Sequence, residues 1–464
     1  MYPKIRDGVI MRRRSGCKYE SGADHVAVTR LGVVYFLTPE IFEMLSKCNG
    51  LTALPAIQGL ADFIEKDRDA LEIISLDRDR SEGDETRGQI ITVDGLVAPC
   101  RQAIWHLTQS CNMRCGHCYR FPGDIKEPFS EGQIEATADN LSALGVECVR
   151  LSGGEVTLDH RKLECAVAAL TQGNRIPVVL NTNGWKHQDR TIELLRDNPF
   201  ARGVQISLDG TKESHNALRG VDSYDEIVSN IGKYLEAGIH VRVISMLTDD
   251  WLDRNEIRRV CGAIADLGIS DWTVEIPSVT GRWTNDLTIR VEEVVSAALE
   301  FHAFFESHDH GVGRFSFAQV FDWPLPPTEE AKRLEDPVCS HDLGLITFGP
   351  EGVAYCSLFQ DRFGEELACL GHMHDSNYKE IWNRIATVRL THTIADNQSC
   401  RWCPLFWVCQ GGCPGQYGNP VQFQGCDTHS RNLALSKMRV YESLGIPLLK
   451  QKEAGDDQSE TGNE

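Results

Sequence analysis

The sequence contains no run approaching the roughly 18 apolar residues that a membrane span requires. Its opening stretch, MYPKIRDGVIMRRRSGCKYE, carries positive charge with no apolar segment behind it, which argues against a secretory signal. These two lacks lead us to expect a cytoplasmic protein without a membrane partner. Excess positive charge is missing as well: 47 Lys and Arg stand against 67 Asp and Glu, a formal net charge of −20. A nucleic-acid binder needs a basic face to neutralise phosphates, so no nucleic-acid partner is expected. Cysteine, in contrast, is plentiful, with 17 in 464 residues. In a reducing compartment clustered thiols mark metal or catalysis more often than disulfides, and an odd count pairs poorly.

The chain is long enough for two or three domains. Residues 1–95 read as a small mixed unit. HVAVTRLGVVYFL suggests a strand pair, and TPEIFEMLSKC a helix with Thr38 as N-cap and Pro39 in first position. LPAIQGLADFIEKD is a second amphipathic stretch, and the charged segment DRDRSEGDETRG is a linker. From 103 to 310, six strand-like runs (AIWHLT, ECVRLS, IPVVLNT, GVQISL, HVRVISML, WTVEIP) alternate with amphipathic helical stretches. That order predicts an α/β fold, a parallel sheet closed or partly closed as a barrel, with chemistry at the C-terminal strand ends. Residues 330–445 are cysteine-dense and aperiodic, a domain organised around metal. The tail 446–464 is polar and acidic, with the composition of a disordered segment.

The first strand is followed by QSCNMRCGHCYR, with Cys111, Cys115 and Cys118. Three thiols cannot close a tetrahedral site, although His117 could complete a zinc site. The spacing Cys-x3-Cys-x2-Cys after strand one of six resembles the radical S-adenosylmethionine (SAM) enzymes. The resemblance implies a partial (β/α)6 TIM-like barrel in which these thiolates hold three irons of a 4Fe–4S cluster, SAM taking the fourth. Gly153, Gly154 and Glu155 at the end of strand two match the family's Gly-Gly-Glu motif, although Val156 stands where relatives usually have Pro. Asn181 ends strand three in NTNG. Ser207 and Arg219, in QISLDG and HNALRG, map to residues that in relatives bind the SAM carboxylate and ribose. His117 and Ile276 map beside the adenine.

A second set lies in SCRWCPLFWVCQGGCP. Cys400, Cys403, Cys409 and Cys413, with Cys339, Cys356 and Cys426, resemble the SPASM extension of the same superfamily, which carries two auxiliary 4Fe–4S clusters. The resemblance assigns Cys400, Cys403, Cys409 and Cys426 to one and Cys339, Cys356 and Cys413 to the other. The fourth ligand there is open: Cys369, another side chain, or none, leaving an iron for a substrate thiolate. A zinc ribbon fits the x5 and x3 spacings poorly. One departure is that Gly352 stands one residue closer to Cys356 than in the family pattern.

The resemblance implies a peptide maturase of ribosomal-peptide biosynthesis. The N-terminal unit looks like the small domains that bind a precursor's leader as an added strand. An electron donor such as a flavodoxin or ferredoxin is also implied. A 5′-deoxyadenosyl radical would take hydrogen from a peptide carbon and a crosslink would follow, a thioether first and a carbon–carbon or other bond next. Sulfatase-maturase-like oxidation is less favoured, because Ser357 stands where that group has Asp. Peptide epimerisation would need a thiol donor in the barrel, for which Cys148, Cys165 and Cys261 are available by type. A non-catalytic redox-sensing iron–sulfur protein would need neither the Gly-Gly-Glu motif nor the Ser207 and Arg219 pair.

Overall fold

The computed structural model describes residues 1–6, 9–15, 25–28, 34–49, 51–66, 73–78, 90–120, 129–201, 203–248, 251, 254–276, 280–283, 290–307, 311–318, 320–324, 344–356 and 365–446. The expected linker at 77–88 starts too early, since Asp77 ends the strand Ile74–Asp77; its residues 79–88 and the acidic tail beyond Ile446 lie outside the described residues.

The N-terminal unit holds the strands β1 (Tyr2–Ile5), β2 (Ile10–Ser15), β3 (His25–Val28), β4 (Val34–Leu37), β5 (Ile74–Asp77) and β6 (Ile90–Asp94). The expected strand pair is β3 and β4, antiparallel, with Val26 opposite Phe36. Thr38 caps the helix Pro39–Ser46, its hydroxyl accepting the Ile41 amide at 3.3 Å. The second amphipathic stretch is broken by Gly59 at φ +81° into a 3-10 turn, Leu54–Ala56, and a helix, Leu60–Lys66. β6 returns to pair parallel with β2, so the four-stranded sheet has the order β4-β3-β2-β6, with β4 on one edge. Ile5, Met11, Phe42, Leu45 and Leu60 give this unit a small core of its own.

The main sheet begins with β7 (Gln102–Thr108), β8 (Cys148–Gly153), β9 (Val178–Thr182), β10 (Gly203–Ser207), β11 (His240–Met246) and β12 (Asp271–Glu275). These are the six expected strands, and each pairs in parallel with the next. Their alternation sets the architecture. Val149, Leu151, Val178, Leu180, Val204, Ile206, Val241 and Val243 are buried against helices on the outer side. Residues of the opposite parity, among them Ser152, Asn181, Gln205, Ser207, Ile244, Met246 and Glu275, line the concave side.

The sheet runs beyond the six. On one flank β13 (Arg314–Phe317) pairs parallel with β12, and β14 (Phe321–Trp323) turns back antiparallel. On the other, β15 (Leu345–Gly349) pairs parallel with β7, and β16 (Gly352–Val353) closes a hairpin. The result is an open ten-stranded sheet. The segment LITFG therefore belongs to the barrel sheet, although the sequence placed it in the metal-organised domain. The C-terminal region is tied back to the same sheet. Trp382 Nε1 donates to the Ala98 carbonyl at 2.8 Å, and Arg389 donates to the carbonyls of Leu345 and Tyr355. Arg439 on the helix Thr428–Ser443 pairs with Glu292 at 2.7 Å.

Candidate active site

The Gly-Gly-Glu turn at the end of β8 is pressed against the loop that leaves β7. Gly154 donates to the Thr108 carbonyl at 2.8 Å and Glu155 to the Ser110 carbonyl at 2.7 Å. A Cβ on Gly153 would sit 2.4 Å from the Thr108 oxygen, and one on Gly154 2.1 Å from the Ser110 oxygen. The glycines are thus required by backbone contact with the start of the cysteine loop, as well as facing the cavity.

That loop places Cys111, Cys115 and Cys118 on the wall of a cavity of about 480 Å³ at the C-terminal ends of the strands. Cys115 and Cys118 lie close enough to Cys111 to raise its pKa, and Cys118 likewise raises that of Cys115. Burial is the larger cause and lifts Cys111 to about 11, while the Met113 amide, 3.4 Å from its sulfur, works against that rise. His117, Gly153, Gly154, Asn181, Ser207, Arg219 and Ile276 line the same cavity. Burial, reinforced by the Arg219 charge, lowers His117 to about 4, so its imidazole is neutral at physiological pH. His117 Nδ1 and Asn181 Oδ1 are buried and lack a hydrogen-bond partner among the described residues.

Glu155 is placed differently from its neighbours in the motif. It is 1% exposed and does not line the cavity. Its carboxylate accepts bonds from the Asn183 amide at 2.7 Å, the Thr182 hydroxyl at 2.8 Å, and both the hydroxyl and amide of Thr157. It ties the end of β8 to the end of β9, and its oxygens are engaged in that tie.

Several cavity residues escaped the sequence reading. Gln205 and Glu275 share the inward parity of Asn181 and Met246, their register partners, so strand alternation alone could have found them. Asp209, two residues beyond Ser207, is fully buried and holds Arg219 by its Nε at 2.5 Å. Tyr119 and Arg120 also reach the wall, and Arg120 pairs at 2.5 Å with Glu351 in the β15–β16 turn. Gln109 donates to the same carboxylate at 3.2 Å. Nothing in local sequence links positions 120 and 351.

In the C-terminal region Cys400, Cys403, Cys409 and Cys426 form one set. Cys409 feels the charges of the other three, and Cys400 those of Cys403 and Cys426. Burial, the largest cause, lifts Cys400 to about 11 and Cys409 to about 12. The Cys413 amide donates to Asp427 at 2.8 Å. Cys356 follows β16, and Cys339 lies outside the described residues. Cys369 sits over the same hairpin, its thiol 3.4 Å from the Glu351 carbonyl and 2.8 Å from where a Gly352 Cβ would be. Of the possible thiol hydrogen donors, Cys148, Cys165 and Cys261, none lines the cavity.

A profile of the radical SAM superfamily matches residues 105–260. The chain carries a radical SAM domain. It is similar to an AdoMet-dependent heme synthase of Oleidesulfovibrio alaskensis, 26% identical over 69% of this chain and 84% of that one. It is equally similar to the antilisterial bacteriocin subtilosin biosynthesis protein AlbA of Bacillus subtilis, 26% identical over 67% of this chain and 66% of the relative. Its fold matches that of Streptococcus suis SuiB bound to precursor peptide SuiA, with a TM-score of 0.65 at 14% identity, covering 90% of this chain and 98% of that one. Among the described residues no helix is long and apolar enough to cross a membrane.

Radical SAM proteins bind a 4Fe–4S cluster and SAM, and the donor set here fits both. Among the described residues no three His, Cys, Asp or Glu side chains gather closely enough for a single metal ion. Three thiols spread over a cavity wall suit a larger multi-iron group, whose ligands are thiolates. His117 and Asn181, each with one unpartnered polar atom, line a volume within the usual range for a small-molecule site.

Proposed function

We propose that this chain is a radical SAM peptide maturase. On this reading it crosslinks a ribosomally made precursor, through a thioether first and a carbon–carbon or other bond next. The observation that carries the reading is the convergence of Cys111, Cys115 and Cys118 with Asn181, Ser207 and Arg219 on one cavity. An N-terminal sheet whose edge strand β4 can accept a further strand supports the peptide as substrate. Similarity to AlbA, a bacteriocin biosynthesis protein, points the same way.

Cys111, Cys115 and Cys118 would hold the SAM-binding cluster. Cys400, Cys403, Cys409 and Cys426 would hold one auxiliary cluster, and Cys339, Cys356 and Cys413 the other. With cluster and SAM bound, the site would supply radical chemistry able to remove hydrogen from a substrate carbon. The protein's own residues do the holding. Ser207 and Arg219 offer a hydroxyl and a guanidinium to the carboxylate and ribose of SAM. The backbone at Gly153 and Gly154 lines the place for its amino group, and Ile276 with His117 flanks the adenine. Ile244, Met246 and Ile276 form an apolar wall that keeps water from the reacting carbon. A flavodoxin or ferredoxin would deliver the electron.

A second reading, a haem-forming enzyme, draws on the heme synthase match over 84% of that relative. One experiment separates the two. The chain is purified and reconstituted without oxygen, and iron and sulfide are counted. It is then given SAM and reductant with either the short peptides encoded beside its gene or iron–coproporphyrin. About 12 irons and a peptide that loses two hydrogens per new bond support the maturase. Haem formation with the peptides unchanged assigns the second reading. About 4 irons would remove the auxiliary clusters from either.

A further inference from the structure

Arg219 ends the helix Lys212–Arg219 and is 7% exposed. Its Nε donates to Asp209 Oδ2 at 2.5 Å, and its Nη1 lies 3.7 Å from Cys115 Sγ. Asp209 is itself fixed from two further sides. Its Oδ1 accepts the Met246 amide at 2.9 Å. Its own amide donates to His215 Nδ1 at 3.0 Å, which leaves the His215 Nε2 proton for the Ser223 hydroxyl at 3.1 Å. A second, independent contact docks the same helix end on the cysteine loop: Gly116 donates to the Leu218 carbonyl at 3.1 Å. The guanidinium is therefore aimed by a buried carboxylate at one thiol of the Cys-x3-Cys-x2-Cys motif.

A cation and N–H donor beside a cluster sulfur stabilises the reduced, more negative state and raises the reduction potential. We propose that Arg219, aimed by Asp209, tunes through Cys115 how readily the barrel cluster takes up an electron from a low-potential one-electron donor. This role is separate from contact with SAM. Asp209 is the positioning residue for it. The inference rests on the reading that Cys111, Cys115 and Cys118 hold a 4Fe–4S cluster.

The test is a redox titration of the full, anaerobically reconstituted chain in the absence of SAM. It follows the electron-paramagnetic-resonance signal that a Cys118→Ala variant lacks. Arg219→Gln is expected to lower that midpoint, so that the reduced-to-oxidised ratio at a fixed dithionite poise falls about tenfold, about 59 mV for a one-electron couple. Arg219→Lys keeps the charge but loses the fork, and shifts less in the same direction. It decides the matter if Arg219→Gln fails to load iron. SAM affinity is measured alongside by equilibrium dialysis. A SAM-free midpoint unchanged in both variants, with weakened SAM binding, overturns the proposal and leaves Arg219 as a SAM contact alone. If Cys118→Ala removes neither iron nor signal, the cluster reading fails and takes the proposal with it.

Discussion

Cys111, Cys115 and Cys118 hang from the end of a ten-stranded sheet, whereas Cys400, Cys403 and Cys409 lie in or beside helices of four residues and Cys426 just precedes the helix Thr428–Ser443. Beneath the first set lies a continuous core with Trp105, Leu151, Leu180 and Ile206 fully buried. Beside the second, Ile394 and Tyr417 are the buried members of a separate small apolar cluster, with Cys400 packed on it. Short helices are marginal without tertiary support. On the proposed reading, the barrel can hold its thiols in place before any metal arrives, while the C-terminal thiols would need metal to complete their own surroundings.

Removing iron gives the largest expected contrast. On chelation, amide exchange should rise across residues 394–427, while β7 to β12 keep their protection. Equal loss in both regions would break the comparison. Cys111→Ser, on the wall of the cavity rather than in the core, should abolish SAM cleavage yet leave the melting temperature within about 4 °C of the parent.

The rate of cluster loading should also separate the regions, by pH. Iron must displace thiol protons, so a raised pKa slows loading at low pH. Cys111 stands at about 11, and Cys400 and Cys409 at about 11 and about 12, each chiefly through burial. Loading should therefore accelerate from pH 7 to pH 9 at both sites, approaching tenfold per unit for each proton released. Cys115 is raised as well in the barrel set and Cys426 in the C-terminal set, so three raised thiols stand against two and the C-terminal set should show the steeper slope. Iron incorporation followed by absorbance in Cys111→Ser and in Cys400→Ala would remove one set at a time, the Cys339, Cys356 and Cys413 set being common to both.

The six barrel strands were legible because their periodicity is local, as was the cysteine motif that follows the first of them. β15 was not, since its pairing with β7 joins segments some 240 positions apart and LITFG reads equally well as a strand of any neighbouring unit. Glu351 and Arg120 escaped for the same reason. Glu155 was found by motif, but its direction was missed: spacing names a residue type, and only the turn geometry shows that its carboxylate faces Thr157, Thr182 and Asn183.

That geometry yields a smaller, sharper test of the barrel's independence from metal. Glu155→Gln replaces one carboxylate oxygen by an NH₂ donor where the backbone N–H of Thr157 or of Asn183 faces it, and should cost about 2–3 kcal/mol in the iron-free chain. Denaturant unfolding followed on the barrel would read the loss. If it is equally large in the loaded chain, the tie belongs to the fold. A loss confined to the loaded chain would mean that the carboxylate serves the cofactor.

The smallest effect lies at the opposite end of the strands, where Asp271 begins β12. Burial would raise its carboxyl, but the His240 bond at 2.9 Å and Arg314 at 2.8 Å outweigh that and hold it well below the ordinary carboxylate range. A depressed folded pKa contributes stability that is present above the unfolded value and lost as pH falls through the folded one. Arg314 and His240 are largely exposed, so water screens the pair and the contribution is about 1 kcal/mol. Asp271→Asn should therefore lower barrel stability at pH 7 by that amount, and the gap should narrow as the pH falls below 4. Because this network lies at the strand ends opposite Cys111, Cys115 and Cys118, the loss should be the same with and without iron. A metal-dependent loss at Asp271 would show that the two ends of the barrel are coupled, and that the sheet is a less independent scaffold than its core suggests.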